Sequence, residues 1–341
     1  MHVKQWRWAL GLAGAAALAL WPVRPAMAQD VKIGGVAYAQ YGYQFNDTTG
    51  HANAFDLTRS YVNVTAKFAG GLATRITSDL YKDDNGSYTL RIKYAYAAYT
   101  PGKSPLTFKL GMIHTPWIDW EEHMWDYRMQ GTIAVDRMGY MSSSDLGLGI
   151  DGAWANQAVN MQVGVYNGEG YHHGVGDKRK DVMGRVSVRL LPSDDAGAQG
   201  GLRVSLYGQY GKPTGGGERM RALGMVSYKS KLFTLAAEGG LMRDSSTTSP
   251  TARTDGRLLS SYGVLNIPNT KAAVIGRVDW QDPDKNLDGD QQTRLIGGVS
   301  YRLHDHLRLL ADLDYVHYQS TPTPEQHAKQ LQGLFQIEFT F

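Results

Sequence analysis

Basic side chains recur at alternate positions of this sequence, in segments whose other positions are apolar. Arg91 and Lys93 alternate with apolar neighbours, and Arg219 and Arg221 are spaced in the same way. Residues two apart on an extended chain share a face, so each such segment presents a row of cations to one side. Guanidinium groups offer a planar fork of donors to oxyanions, and lysine adds a point charge. The pattern therefore favours a surface that attracts anions.

The elements that must position these cations are β-strands, because alternating segments follow one another along almost the whole chain. We predict about sixteen strands, the even number expected of an outer-membrane type barrel. The predicted segments are 31–45, 54–68, 71–81, 88–100, 105–113, 145–155, 158–166, 181–191, 201–211, 219–228, 232–242, 256–265, 270–281, 291–303, 306–318 and 331–341. The fold class predicted is therefore all-β, a transmembrane antiparallel up-and-down β-barrel.

The connections between the segments support this interpretation, because long and short ones alternate. Tight turns are predicted at residues 69–70, 102–103, 156–157, 229–230, 266–269 and 304–305, with a longer connection at 192–200. Long outer loops and short periplasmic turns are typical of such a barrel. The last segment adds to the pattern, since Phe335, Ile337, Phe339 and the final residue, Phe341, share one face.

The apolar face of each strand is predicted to contact lipid, and the other face to line the interior. The predicted outward side chains include Val62, Val64, Phe68, Leu90, Ile92, Tyr94, Tyr96, Leu106, Phe108, Leu110 and Met112. The predicted inward basic residues are Arg59, Lys67, Arg75, Arg91, Lys93, Lys109, Arg185, Arg189, Arg203, Arg219, Arg221, Arg277, Arg294, Arg302 and Arg308. The predicted inward acids are Asp79, Asp151, Glu238, Asp279, Asp312, Asp314 and Glu338. Such a wall carries a surplus of about eight positive charges, which a low-dielectric tube concentrates. The alternative is that these charges are ordinary solvated groups that pair with the acids.

The amino-terminal residues predict a cleaved signal peptide. Lys4 and Arg7 precede an apolar run that ends at Ala26-Met27-Ala28, so residues 1–28 are expected to be removed and 29–341 to form one barrel domain. Without Lys4, Arg7 and Arg24 the 35 basic residues become 32, which equals the 32 acidic ones. A neutral chain gives no support for nucleic-acid binding. The chain contains no cysteine, which rules out disulfides and thiolate metal sites.

The longest predicted connection spans residues 114–144 and contains Trp117, Trp120 and Trp125. A connection of this length is uncommon unless it is functional. Its tryptophans make it too apolar to extend into water, so it is expected to fold back into the barrel and form a constriction. Its candidate constriction residues are Trp117, Asp119, Glu121 and Glu122.

Several stretches resemble the phosphate-selective porin family, the outer-membrane phosphate and polyphosphate porins. They are residues 55–64, residues 106–111 with Pro116-Trp117 and Glu121-Glu122, residues 135–137 and residues 145–152. The resemblance covers about the first half of the chain after residue 28. It implies a trimeric sixteen-stranded barrel in the bacterial outer membrane that passes small anionic or polar solutes without a cofactor.

The family's anion site uses wall arginines and a basic residue of the inserted loop. By position Arg59 matches a wall arginine of the family, and Arg137 matches the arginine late in its loop. At the position where phosphate-binding members have lysine, this sequence has Glu122 or His123. The resemblance thus implies a diffusion channel of this architecture better than it implies phosphate specificity. The candidate residues of the anion path are Arg59, Arg75, Arg91, Lys93, Lys109, Arg128, Arg137, Arg185 and Arg203.

Other chemistry stays open from the sequence. Residues 284–289 fit the first half of a calcium loop, but Leu295 stands where a bidentate glutamate is needed. His172 and His173 are adjacent and would point apart on an extended chain. A barrel enzyme would need His114 or His123 to meet a serine of 142–144. A plugged structural or adhesive barrel is a further alternative.

Overall fold

The computed structural model describes residues 30–48, 50, 52–83, 85–172, 178–212, 217–245 and 253–341. The predicted signal peptide and His173 lie outside the described residues. Within these ranges, no helix is long and apolar enough to cross a membrane.

Sixteen strands run through the described part of the chain, within a few residues of the predicted bounds. They are β1 (Asp30–Gln44), β2 (Asn53–Lys67), β3 (Leu72–Lys82), β4 (Tyr88–Tyr99), β5 (Leu106–His114), β6 (Ser144–Trp154), β7 (Val159–Tyr166), β8 (Asp181–Leu191), β9 (Gly201–Gly211), β10 (Arg219–Lys229), β11 (Phe233–Ser245), β12 (Arg253–Asn266), β13 (Ala272–Asp282), β14 (Gln292–His304), β15 (Leu307–Tyr318) and β16 (Leu331–Thr340). Helices α1 (Ile118–Trp125) and α2 (Ala134–Arg137) lie between β5 and β6, and α3 (Pro324–Ala328) lies between β15 and β16.

The strands form one closed barrel in which each strand pairs antiparallel with its sequence neighbours. The seam is the pairing of β1 with β16, where Val36 lies opposite Thr340 and Gln40 opposite Gln336. This closure leaves no sheet edge. The predicted fold class is confirmed. We call the end with the short connections the turn end and the other the loop end.

Large apolar side chains cover the outside of the barrel. Leu90, Leu110, Leu241 and Leu259 are each more than half exposed. Soluble monomers rarely expose contiguous apolar patches larger than a few hundred Å². This outer surface therefore requires lipid around it.

The side-chain alternation shifts phase in β4. The register between β3 and β4 shifts at Thr77 and Ser78, so that Thr77 pairs with Tyr94 and Ser78 with Ile92. The unpaired Lys93 is the extra residue of a β-bulge, and after it the alternation resumes with the opposite phase. The prediction that Tyr94 and Tyr96 face outward is therefore wrong. Tyr94 is buried inside, and Lys109 Nζ lies 5.5 Å from the centre of the Tyr96 ring.

Candidate functional site

The connection between β5 and β6 lies inside the barrel. The side chains of Trp117, Ile118, Trp125 and Ile133 are fully buried there. Burying a large apolar side chain contributes about 1.5–3 kcal/mol. This segment, residues 115–143, is called the inserted loop below, and its packing makes it a fixed part of the interior.

Helix α1 has one apolar face and one polar face, as its period of 3.6 residues allows. Ile118, Met124 and Trp125 are buried on one face, and the Trp125 ring lies 5.1 Å from the ring of Tyr262 on β12. Asp119 and Glu122 lie on the other face and line a cavity. The inserted loop therefore packs against the β11–β12 side of the barrel and turns its charges toward the opposite side.

The cavity, of about 500 Å³, lies between the polar face of α1 and strands β1–β4. We call it the near-wall cavity and strands β1–β4 the near wall. Its near-wall lining includes Tyr38, Tyr61, Asn63, Arg75, Thr77, Lys93 and Tyr94, and its loop lining includes Asp119, Glu122, His123, Asp126 and Arg128. Cations of the near wall thus face carboxylates of the inserted loop.

Arg75 is held in the near-wall cavity by neutral groups. Its Nη2 donates to Asn63 Oδ1 at 2.7 Å and its Nε to Thr77 Oγ1 at 3.0 Å, and its guanidinium lies 4.6 Å from the centre of the Tyr94 ring. Its Nη1 lies 3.2 Å from His114 Nε2.

Lys93, the extra residue of the β4 bulge, also faces the near-wall cavity. Its ammonium nitrogen lies 4.7 Å from the centre of the Tyr61 ring and 5.5 Å from that of Tyr94. Within the described ranges, no carboxylate lies within 4.0 Å of the Lys93 ammonium or the Arg75 guanidinium. These two cations of the cavity lining are thus held without a paired acid.

Arg59 and Arg91 share one buried acid on the loop-end side of these residues. Arg59 Nε lies 2.8 Å from Asp79 Oδ1, and Arg91 Nε lies 2.9 Å from Asp79 Oδ2. Tyr171, from the connection after β7, receives a hydrogen bond from Arg59 Nη2 at 2.7 Å. The structure brings Arg59, Arg75, Arg91 and Lys93 together on the near wall, and two of the four are partly neutralised by Asp79.

The arginines of strands β8–β15 have a different environment. Several donate to backbone carbonyls of the inserted loop: Arg185 Nε to Pro116 at 2.8 Å, Arg221 Nε to Tyr140 at 3.3 Å, Arg277 Nη1 to Thr132 at 3.2 Å, and Arg308 Nη2 to Asp126. Other polar side chains also anchor the loop, since Trp117 Nε1 donates to Glu238 Oε2 at 3.1 Å and Tyr127 OH lies 2.7 Å from Ser300 Oγ. We call strands β8–β15 the far wall.

Two predicted members of the anion path therefore have another position. Arg185 is buried with its guanidinium 4.1 Å from the centre of the Trp120 ring, and Arg203 is fully buried and donates to the carbonyls of Gly200 and Gln157. Neither lines the near-wall cavity. The physical reason is that the inserted loop and the turn-end backbone supply unpaired carbonyls, which guanidinium groups satisfy.

The remaining predicted cations form ion pairs. Lys109 pairs with Asp151 on the neighbouring strand, and Arg128 Nε lies 2.9 Å from Glu122 Oε1. Arg137 Nη2 donates to Gln130 Oε1 at 2.9 Å, and its Nη1 lies 3.9 Å from Asp314 Oδ2. Burial and the neighbouring Arg277 lower the pKa of Arg137 to about 9, so it remains a cation at neutral pH.

The acids of the inserted loop differ in environment. Desolvation raises the pKa of Asp119, but His114, His123, Lys109 and Arg75 outweigh it and lower the pKa to about 2. Burial raises the pKa of Glu121 well above its ordinary value, and the nearby carboxylate of Glu238 adds to the shift. Glu121 is fully buried and, unlike Asp119 and Glu122, does not line the near-wall cavity.

A second cavity, of about 550 Å³, lies at the loop end of the inserted loop. Tyr140, Glu169, Arg219, Arg221 and Asp244 are among the residues that line it. Arg219 pairs with Asp181 at 3.1 Å, and Arg221 pairs with Asp244 at 2.8 Å. The inserted loop thus has one cavity against the near wall and another toward the loop end.

The histidines and serines considered for an enzyme do not meet. Ser142 Oγ donates to the Ser144 carbonyl at 3.2 Å, and Ser144 Oγ donates to the Lys93 carbonyl at 2.7 Å. His123 Nδ1 lies 2.6 Å from the Asp119 carbonyl, and His114 contacts Arg75. In the part of the chain that the structure describes, no group of three His, Cys, Asp or Glu side chains is placed to hold a metal ion.

The tyrosines of the near-wall cavity were not identified as site residues from the sequence. Tyr38, Tyr61 and Tyr94 are buried and line the cavity with Asn63 and Thr77. Tyr38 and Tyr61 occupy the alternate positions that face inward, as the cations do. This shared phase is the sequence signal that could identify them as lining residues. For Tyr94 the bulge hid this signal.

No protein-family model matches the chain, and no curated protein matches it in sequence. Solved structures do match its fold. An anion-selective porin from Comamonas acidovorans has 13% identity and a TM-score of 0.66, covering 92% of this chain and 99% of that one. OmpF of Salmonella typhi in complex with daunomycin has 11% identity and a TM-score of 0.67, covering 91% of this chain and 97% of that one. The trimer form of OmpT of Vibrio cholerae has 11% identity and a TM-score of 0.64, covering 92% and 100%. The chain therefore has the barrel fold of the outer-membrane porins.

Proposed function

We propose that the protein is an outer-membrane porin, a passive diffusion channel for small hydrophilic solutes with a preference for anions. The observation that carries the anion preference is the charge balance of the near-wall cavity. Glu122 pairs with Arg128, while Asp126 and Glu338 both pair with Arg308. Arg75 and Lys93 have no paired carboxylate in the described ranges and face the single remaining loop acid, Asp119. Lys229 also lines the cavity and donates to the His123 carbonyl at 2.7 Å. The cations are then Arg75, Lys93, Arg128, Lys229 and Arg308, and the acids are Asp119, Glu122, Asp126 and Glu338, so the balance is positive by one charge.

This arrangement favours weak and repeated contacts with a passing solute. Conduction requires a solute to be attracted and released, and Arg59, Arg91, Lys93 and Arg75 provide successive cations along the near wall. Exposed charges are screened beyond about 10 Å at 0.1 M salt. The preference is therefore expected to be modest and to decrease as salt rises.

The test is the reversal potential of single channels in a planar bilayer under a potassium chloride gradient. The unmodified protein is expected to prefer chloride, and Arg75→Gln combined with Lys93→Gln is expected to reduce that preference. Lys103→Gln, in an exposed turn, is the matched control and should leave it unchanged. A cation-selective potential in the unmodified protein would show that the loop acids dominate and would remove the anion assignment.

The alternatives predict different results in the same preparation. A plugged structural barrel would give no conductance, whereas an enzyme would hydrolyse ester or peptide substrates. The contacts of Ser142, Ser144, His114 and His123 give no support to a nucleophile and base pair. We therefore assign no catalytic role to these residues.

The assembly and processing of the chain are also part of the proposal. We expect a homotrimer in the bacterial outer membrane, because the apolar outer surface requires lipid and one similar structure is a trimer form. Cross-linking of protein in native membranes checks the trimer. Amino-terminal sequencing checks removal of residues 1–28, and a mature chain beginning elsewhere would correct that prediction.

A further inference from the structure

The outer face of strands β10–β12 contains an apolar trough of about 600 Å³. Gly224 of β10 and Gly239 of β11 lie directly opposite each other at its floor. Leu206, Leu241, Leu259 and Trp280 line it, and the three leucines are each more than half exposed. Since glycine has no side chain, the barrel surface is recessed here by the depth of a side chain.

The trough continues toward the loop end into a second recess of about 300 Å³. Ala222, Leu241 and Arg257 line both, so the two are contiguous. The second recess adds Met220, Arg243 and Lys285. Together they form an apolar groove that ends among basic side chains, and we call it the lipid groove.

The basic side chains of this groove exceed the acids that pair with them. Arg243 and Arg253 lie 2.9 Å and 2.7 Å from Asp255, and Lys285 lies 3.6 Å from the same carboxylate. Arg257 has no carboxylate within 4.0 Å in the described ranges, although Asp282 is its cross-strand neighbour.

The acids of the adjoining connection are used internally. Asp284 Oδ1 accepts from Asn286 N at 3.2 Å, and Asp290 Oδ2 accepts from Asp284 N at 3.0 Å. These hydrogen bonds hold the two carboxylates within their own turn, and in the described ranges neither lies within 4.0 Å of a basic side chain of the groove.

An unpaired cation on the lipid-facing side of a strand is costly at the bilayer midplane and becomes tolerable near the interface. Arg257 shares the outer face of β12 with Leu259, two residues further from the loop end. Near the membrane interface, the groups that can neutralise such a cation are lipid headgroups.

We propose that the lipid groove binds a phosphorylated lipid of the outer leaflet, with an acyl chain in the trough and a phosphate between Arg257, Arg243 and Lys285. Guanidinium groups suit phosphate because they can donate two parallel hydrogen bonds.

A second trough on the same barrel provides an internal comparison. Gly297, Val299, Leu313, Gly333 and Phe335 line an outward recess of about 430 Å³ on β14–β16. Its lining contains no basic residue among those the structure describes. The apolar shape is similar and the headgroup site is missing, so this trough should not select a phosphorylated lipid.

The proposal uses the membrane orientation of the proposed function and does not depend on ion selectivity. The test measures lipid retained by purified, folded protein in detergent by native mass spectrometry. The probe is lipid A, with the same lipid after removal of its phosphates as the control. Because conductance is not measured, a barrel that fails to conduct can still retain the lipid.

The unmodified protein is expected to retain lipid A and not to retain the same lipid without its phosphates. Arg257→Gln combined with Arg243→Gln should weaken retention about tenfold, equivalent to ~1.4 kcal/mol. Lys231→Gln, in the turn at the other end of the β10–β11 hairpin, should leave it unchanged.

A steric variant tests the trough separately from the headgroup site. Gly239→Leu fills the floor, and its Cβ meets Leu259 Cδ2 at 3.4 Å, an ordinary contact. It should weaken retention, whereas Gly297→Leu in the second trough, where a Cβ meets nothing within 4 Å, should not. Equal retention of the phosphate-free lipid by the unmodified protein, or unchanged retention in the double arginine variant, would overturn the proposal.

Discussion

The near wall and the far wall carry the same kind of inward arginine and use it differently. On the near wall, Arg75 donates to neutral side chains and lines an open cavity. On the far wall, Arg185 and Arg277 donate to carbonyls of the inserted loop. A row of inward cations therefore represents charge available to a solute only where no other segment covers it.

Deleting residues 117–128 is expected to alter the contrast between the walls most strongly. The deletion removes the Trp120 ring from Arg185, the Trp125 ring from Arg277 and both Asp126 contacts from Arg308. The far wall would then present cations to the solution as the near wall does. Single-channel conductance should rise clearly and the preference for chloride should increase. The measurement is conductance and reversal potential in a planar bilayer. An unchanged conductance would mean that the loop does not limit the path.

The second prediction concerns the stability of the far wall. Arg277 and Asp279 are an ion pair at 2.8 Å with both side chains fully buried. Arg277→Met leaves that acid without its partner and is expected to cost about 3–5 kcal/mol, because an uncompensated buried charge is strongly destabilising. The urea midpoint for loss of the folded barrel measures this cost.

A double variant provides the control for this prediction. Arg277→Met together with Asp279→Leu should recover much of the loss, since an apolar replacement of a buried pair is often near neutral. A single variant as stable as the unmodified protein would contradict the anchoring role.

The third prediction uses pH to test the contact between α1 and β11. Burial raises the pKa of Glu121 above the ordinary value of 4.5. The unfolded chain therefore loses this proton at lower pH than the folded one. The associated stability is present in full below pH 4.5 and is lost as pH rises through the folded pKa, by ~1.4 kcal/mol for each pH unit that separates the unfolded and folded pKa values.

The variant that tests this dependence is Glu121→Gln. The urea midpoint of the unmodified barrel should fall as pH rises above 4.5, and Glu121→Gln should flatten that dependence. Glu122→Gln, on the cavity face of the same helix, is the matched control. Identical slopes in all three proteins would show that Glu121 is not the group responsible.

The smallest change is predicted for the chloride preference when two arginines of the near wall are replaced. Arg59→Ala with Arg91→Ala removes two cations and leaves Asp79 without its two arginine partners, so the preference for chloride at low salt should fall. Adding Asp79→Ala also removes the acid that the two arginines share, so part of the preference for chloride should return. Reversal potentials of the two variants measure the difference. A larger preference after removal of the arginines would show that they do not face the solute.

The sequence predicts the strands well because lipid and interior impose a strict two-residue period. Strands such as Asp181–Leu191 and Gly201–Gly211 match their predicted bounds. The bulge at Lys93 has no local signal, and it reversed the orientation of Tyr94 and Tyr96. Helix α1 was not predicted either, although Ile118, Glu121 and Trp125 follow a helical spacing. Which arginines the loop would cover depends on contacts between distant residues, which no local pattern contains.

The position of Gln336 at the barrel seam has a consequence for folding. This buried side chain on β16 donates to Gln40 Oε1 on β1 and to the Met129 carbonyl of the inserted loop, both at 3.0 Å. One amide therefore joins the first strand, the last strand and the loop between β5 and β6. Contacts distant in sequence form only after the entropy of chain closure has been lost, which slows folding. Because this amide lies at the meeting of the two ends, we expect the last step of loop docking to be coupled to the closing of the barrel.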